Sequence, residues 1–274
     1  MNYRNWGAYA TRENLLECAQ IADESTLDSV WVNDHIGFPQ GDWHNEYGIP
    51  DAMGNIIDPY AAMTFLGAVT SRVGFGSAVI VGPYRPPLPT AKWLQSIQVL
   101  SNNRMMFGVG PGYLAEEFIA LGVKRSERGK LTDELLDLLY KAFNEETVDC
   151  NGQAIVLKPQ PKRPPFLIGG GPQNAIPRAV KRGDGWMPVS VSPGDLKPMI
   201  ADFNSQTAAA GRGPLQVVAM KTLPLDNLSE AVDLAVAYRD AGATCLVHTQ
   251  HYDTPDQYRK FVDIVCEEIQ PVVS

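Results

Sequence analysis

Cysteine is scarce: 274 residues contain four, at Cys18, Cys150, Cys245 and Cys266. They are scattered and form no Cys-x-x-Cys, so the sequence has no dithiol or zinc framework, and reduced thiols in a cytoplasm are the expectation. No run of about eighteen apolar residues occurs, which argues against a membrane-spanning helix. The opening MNYRNWGAYATRE has no apolar core of the signal-peptide kind, consistent with a cytoplasmic location. Basic charge is in deficit, with 23 Lys and Arg against 31 Asp and Glu and a net charge of −8. That argues against a general nucleic-acid binder, though a small anionic cofactor needs only local positive potential. There is no Gly-x-Ser-x-Gly elbow, so a serine hydrolase has no support. His248 and His251 lack the Glu at the spacing a zinc protease needs, and no metal is expected.

What is present is a soluble-enzyme composition, 45% hydrophobic with 24 glycines, and a repeating strand–helix order. The stretch from Val73 to Glu117 shows it best. Val73–Val81 is apolar and short enough for a buried strand, Leu88–Leu100 has helical spacing, and Met105–Val109 is a second apolar strand. Strand, helix, strand implies a parallel pair joined by a crossover. Gly108, Gly110 and Gly112 follow at the second strand's end, where their backbone can lie close to a bound group.

The rest of the chain extends the pattern. Strands are expected at 29–32, 166–168, 184–189, 215–223 and 244–247, with helices between them. Met1–Tyr9 should hold a first strand but is too polar for a long one, so it is expected short or frayed. Asp58-Pro59 and Thr254-Pro255-Asp256-Gln257 read as helix starts. Asn151-Gly152 marks a β-hairpin outside the main sheet. Eight strand–helix repeats predict a (β/α)₈ TIM barrel, residues 1–274 forming one domain. A doubly wound α/β sheet is the competing fold, but the glycine motifs do not fit one dinucleotide fingerprint.

Several residues stand where barrel chemistry is placed, at strand C-terminal ends. Asp34 and His35 follow the strand at 29–32. A capping carboxylate and a backbone-bonded imidazole are the plain structural reading of that pair. Gly169, Gly170, Gly171, Pro172, Gln173, Asn174 and Ala175 follow the strand at 166–168. Such a loop before a helix can expose N–H groups to a phosphate, or simply make a tight turn. The long loop from Phe38 to Ile57, with Trp43, His44 and Tyr47, reads as a lid over the substrate side. Tyr84, Tyr113, Gln250 and His251 are expected on that side too.

The chain resembles the bacterial luciferase-like superfamily, and within it the deazaflavin (coenzyme F420)-dependent oxidoreductases. The resemblance rests on Pro83-Tyr84-Arg85-Pro86-Pro87, Leu100-Ser101-Asn102-Asn103-Arg104, Gly108-Val109-Gly110-Pro111-Gly112-Tyr113 and Glu116-Glu117-Phe118, in family order and spacing. Asp34-His35 and Asp184-Gly185-Trp186 also match. The resemblance implies a TIM barrel that passes hydride between F420 and a small organic substrate. It implies a cofactor phosphate at Gly169–Ala175 and a non-proline cis peptide at Ala78 and Val79 against the cofactor ring. His35 would be the acid/base group, with Asp34 orienting it or polarising the ring. The alternative within the superfamily is an FMN-dependent monooxygenase served by a separate reductase. A non-catalytic flavin-binding barrel is a third reading. A homodimer is implied by resemblance alone.

Overall fold

The structure, a computed structural model, describes residues 1–44, 48 and 50–274. Tyr47 lies outside the described residues. Parallel strands run in the order β1 (Ser29–Val32), β2 (Gly74–Ser77), β4 (Met105–Gly110), β7 (Phe166–Gly169), β8 (Gly185–Met187), β9 (Gln216–Lys221) and β10 (Cys245–His248). The short β3 (Ile80–Val81) pairs with β4. The expected third strand is therefore two pieces, divided at Ala78 and Val79, and the peptide bond between those two residues is cis.

The ring closes through the N-terminal segment. Asn2 N donates to His248 O of β10 at 2.8 Å, and Tyr3 N donates to Trp31 O of β1 at 2.7 Å. The expected first strand is thus reduced to a single parallel bridge between Asn2 and Trp31. Its polar residues are used elsewhere. The Asn5 side chain bonds the carbonyls of Asn33 and Ile57, and Arg4 pairs with Asp253.

Among the described residues the longer helices are α1 (Arg12–Glu24), α2 (Pro59–Val69), α3 (Pro87–Leu100), α4 (Ala115–Ala120), α5 (Arg128–Asn144), α6 (Pro172–Arg182), α7 (Pro193–Ala209), α8 (Leu228–Asp240) and α9 (Pro255–Ile264), and a last short turn of helix follows at Gln270–Val273. Their starts are legible in the sequence because side-chain oxygens satisfy otherwise unpaired N–H groups. Asp58 accepts from Tyr60 N and Ala61 N, and Thr254 accepts from Gln257 N. The hairpin β5 (Thr147–Cys150) and β6 (Gln153–Val156) turns at Asn151 and Gly152, both at positive φ (56° and 77°), as its Asn-Gly requires.

Alternation along each strand divides the apolar residues between two layers. Trp31, Leu167, Met187, Val218 and Val247 fill the barrel interior. Val30, Phe75, Phe107, Phe166, Trp186 and Val217 face the helices. A filled interior leaves the strand ends as the place for ligands. No helix among the described residues is long and apolar enough to cross a membrane.

Candidate active site

Because the strands are parallel, the segments following β1, β2, β4, β7, β8, β9 and β10 all emerge on one face. Asp34-His35, Ala78-Val79, Gly112-Tyr113, Gly170–Ala175 and Gln250-His251 are therefore brought to one end of the barrel.

His35 stands just beyond β1. Its Nδ1 lies 2.9 Å from Glu117 Oε2 of α4, and its Nε2 faces the Tyr113 hydroxyl at 3.5 Å. Glu117 also accepts from Ile36 N (2.5 Å), Gly37 N (3.2 Å) and the Tyr84 hydroxyl (2.7 Å). The carboxylate is only 3% exposed. Burial by itself would raise the Glu117 carboxyl, but the bonds from His35, Tyr84 and Ile36 outweigh it and hold it below the usual range.

Asp34, its neighbour, has a different set of partners. Its two oxygens take both terminal nitrogens of Arg85 at 2.7 and 2.9 Å, and Oδ2 also accepts from Val81 N. Arg85 extends to Asp58 Oδ2 at 2.7 Å, joining the end of β1 to the cap of α2. Burial works against the Arg85 charge, yet the bonds from Asp34 and Asp58 raise its pKa above the ordinary value. The carboxylate bonded to His35 is Glu117 rather than Asp34. Consecutive residues Tyr84 and Arg85 thus brace the consecutive residues His35 and Asp34, Tyr84 through Glu117 and Arg85 directly.

The glycines have separate tasks. A Cβ on Gly108 would lie 1.9 Å from the Ser77 carbonyl oxygen, so this glycine lets β2 and β4 pack closely. Gly110 and Gly169 clear space for Val79, whose methyls would stand 2.9 and 2.8 Å from their added Cβ atoms. Gly112 adopts φ +77° against Val81 and Phe118. Gly170 is at φ +128°, and a Cβ on Gly171 would meet nothing within 4 Å. Gly171 caps α6, with Pro172 in its first turn, and accepts from Asn174 N and Ala175 N. Gln173 and Asn174 are exposed at that helix start. The loop is open and backbone-lined, with the N-terminal dipole of an eleven-residue helix behind it.

A cavity of about 290 Å³ opens beside these groups, lined by Trp6, Asn33, Met53, Ser190, Thr222, Thr249 and His251 among others. Asn33 ties it to the strand break, its Nδ2 donating to Ala78 O at 3.3 Å. His251 stands edge-on to Trp6, and burial lowers its pKa. Gln250 is turned to His248, accepting at 3.2 Å. Trp43 is buried and stacks on Phe38 at 4.0 Å; Phe38 in turn contacts the His35 ring at 4.6 Å. His44 pairs with Asp42. Tyr84, expected on the substrate side, is buried against Phe118 and reaches the site through Glu117.

Sequence reasoning assigned no site role to Glu117 and Arg85, although both lie in quoted motifs. It also left Asn33 and Trp6 unassigned. Their partners lie far away in sequence, and no local spacing signals them.

His248, just below this face, gives a pH prediction. It is 3% exposed, and its Nδ1 accepts from Leu223 N at 3.0 Å. Burial, with a lesser push from the Met1 amino group, lowers its pKa to about 4. The unfolded chain takes up this proton near pH 6.5 and the folded chain only near 4, so stability is lost as pH falls through that window. The loss from this one residue should approach about 3 kcal/mol. Urea unfolding at pH 7 and pH 4.5 should show it, and His248→Gln should reduce that difference; an equal pH dependence in both proteins would refute the assignment.

Comparison with known proteins adds three findings. Residues 2–263 match the family model described as luciferase-like monooxygenase. An F420-dependent glucose-6-phosphate dehydrogenase of Amycolatopsis mediterranei is 30% identical over 186 residues, 64% of this chain and 52% of that protein. Two solved structures superpose with a TM-score of 0.77. One is an F420-dependent secondary alcohol dehydrogenase in complex with an F420-acetone adduct, 17% identical, covering 100% of this chain and 98% of that one. The other is the FMN-bound oxygenating constituent of 3,6-diketocamphane monooxygenase from Pseudomonas putida, 13% identical, covering 96% of this chain and 94% of that one.

Proposed function

The chain belongs to the luciferase-like monooxygenase family, and from that premise we propose that it is an oxidoreductase that passes a hydride between deazaflavin coenzyme F420 and a small organic substrate. One observation carries the reading. An imidazole is held by a buried carboxylate at a strand's C-terminal end, on the face where Val79, Gly110 and Gly169 form a close-packed floor.

The residues present fit such a cofactor. The open Gly170-Gly171 backbone and the start of α6 suit a phosphate, and a Cβ at Gly171 would meet nothing within 4 Å. The ring would lie against Ala78 and Val79. When bound, the deazaflavin supplies a two-electron hydride carrier. The chain's own residues do the rest. Ala78, Val79 and the glycine loop orient the carrier, while Trp6, Asn33 and His251 line the space for the substrate. His35 holds or moves the proton that accompanies the hydride. The aromatic contacts from Trp43 through Phe38 to His35 shield that proton from water.

The FMN reading keeps weight because an FMN-bound neighbour superposes as well as the F420-bound one. Titration of the purified protein with oxidised F420 and, separately, FMN separates them. Saturable F420 binding at least tenfold tighter than FMN is the expected result. FMN preference would replace hydride transfer with oxygenation and call for an oxygen-uptake assay with a reductase. Binding of neither would reject both.

A further inference from the structure

We propose that Asn33 is a specificity-determining residue whose carboxamide N–H, oriented by the Trp6 indole and the Ala78 carbonyl, donates to a carbonyl oxygen of the substrate. The inference rests on the reading of the cavity beside Trp6 as the substrate's space, and it names the group recognised there.

Two neighbours fix which way the amide points. Trp6 Nε1 donates to Asn33 Oδ1 at 3.2 Å, and an indole N–H only donates. On the other side Asn33 Nδ2 donates to Ala78 O at 3.3 Å, and a carbonyl only accepts. A flipped amide would set N–H against N–H and oxygen against oxygen. The indole is itself held. Trp6 is buried, lies under the Arg4 guanidinium at 4.2 Å and stands edge-on to His251 at 4.8 Å.

A carboxamide carries two N–H groups, and one of them bonds Ala78 O. The second has no acceptor among the described residues, and Asn33 is half-buried on the wall of the cavity of about 290 Å³. The side chain is not what holds the backbone here. Asn5, fully buried, does that: its Oδ1 accepts from Asn33 N and its Nδ2 donates to Asn33 O, both at 2.9 Å. The Asn33 carboxamide is thus available to a ligand.

The rest of the lining selects the partner. Among the described residues no Asp or Glu lines the cavity, whereas Lys221 does. The Thr222 and Thr249 hydroxyls bond each other at 2.8 Å. A fixed N–H donor with no carboxylate in the lining suits a group that accepts without donating, which is a carbonyl oxygen. A hydroxyl in the same place would still need an acceptor for its own hydrogen. Because the same carboxamide is bonded to Ala78, a carbonyl held by Asn33 sits beside the floor proposed for the carrier.

The test is a titration of ¹⁵N-labelled protein, free and with F420, using ketones from acetone to cyclohexanone, each beside its matching alcohol. The Asn33 side-chain NH₂ signal is assigned by its absence from Asn33→Leu. A ketone should shift that signal saturably. Asn33→Leu, similar in size, should weaken ketone binding by about tenfold and leave F420 affinity within a few-fold. Asn33→Asp replaces the donor by an acceptor and should reverse the preference toward the alcohol. Trp6→Phe keeps an aromatic ring but frees the amide to turn, so ketone binding should weaken although Asn33 is intact. A purely steric role for Asn33 gives neither of these last two results. An Asn33 signal that no ketone moves in the wild type overturns the proposal, even if no variant folds. So does undiminished ketone binding by a folded Asn33→Leu. F420 binding with an unmoved Asn33 signal would keep the hydride-transfer reading and remove Asn33 from recognition. A saturable shift in a protein that binds neither F420 nor FMN would support carbonyl recognition and reject the oxidoreductase reading.

Discussion

Arg85→Ala should unfold at markedly lower urea concentration than the wild type, with a stability loss of about 3–5 kcal/mol. The size follows from what is left behind. The Asp34 side chain is fully buried, and its two oxygens are paired with a guanidinium that is itself 8% exposed. Removing Arg85 strands a carboxylate in the interior with Val81 N–H as its remaining hydrogen-bond partner among the described residues. It also frees Asp58 at the start of α2, although that residue is half exposed and matters less. Two further measurements separate this account from simple loss of packing. Burial already raises the Asp34 carboxyl against the pull of Arg85 and Val81 N, and without Arg85 it is raised further in the folded chain above its unfolded value. The folded variant then binds an extra proton, so its deficit should shrink as pH falls toward 4 and grow as pH rises. The double variant Asp34→Asn/Arg85→Ala should recover part of the loss, because no buried charge remains. A deficit independent of pH, unrelieved by Asn, would refute the charge-based explanation.

Replacing His35 by asparagine should lower kcat by about 10²–10⁴-fold, the usual contribution of a positioned acid/base group. Asparagine is the informative choice because its Nδ2 stands in for Nδ1–H and keeps the bond to Glu117. What it lacks is the Nε2 that faces Tyr113 and the site. Thermal stability should therefore change little, and F420 should bind within a few-fold of the wild type. Undiminished turnover in a folded His35→Asn would remove His35 from the chemistry. Equal losses in cofactor binding and kcat would make it a binding residue instead.

These predictions concern long-range pairs, and that is where the sequence was silent. His35 and Asp34 stood out because they end a strand whose position the apolar pattern marks. Their partners did not. Glu117 is 82 residues from His35, and Arg85 is 51 from Asp34. Both lie in recognisable motifs, yet nothing in Glu-Glu-Phe says which acid turns inward or what it touches. Tyr84 shows the converse. Its place in a motif suggested contact with substrate, whereas the packing of α4 buries it behind Glu117. Gly108 belongs with these cases. It was placed with the cofactor glycines, but what lies 1.9 Å from its missing Cβ is a neighbouring strand's carbonyl.

By itself, then, the sequence determined the alternation of strands and helices, the helix starts at Asp58 and Thr254, the Asn151-Gly152 hairpin and the glycine-bearing strand ends. Each depends on neighbours a few residues apart: period, capping oxygens and backbone freedom act locally. Only the tertiary structure decided how the ring closes, through Asn2 between β10 and β1, and which carboxylate serves His35 and which serves Arg85. A charge or a lone pair takes whatever donor the folded chain brings within about 3 Å, and that distance is set by the packing of barrel and helices rather than by spacing along the chain.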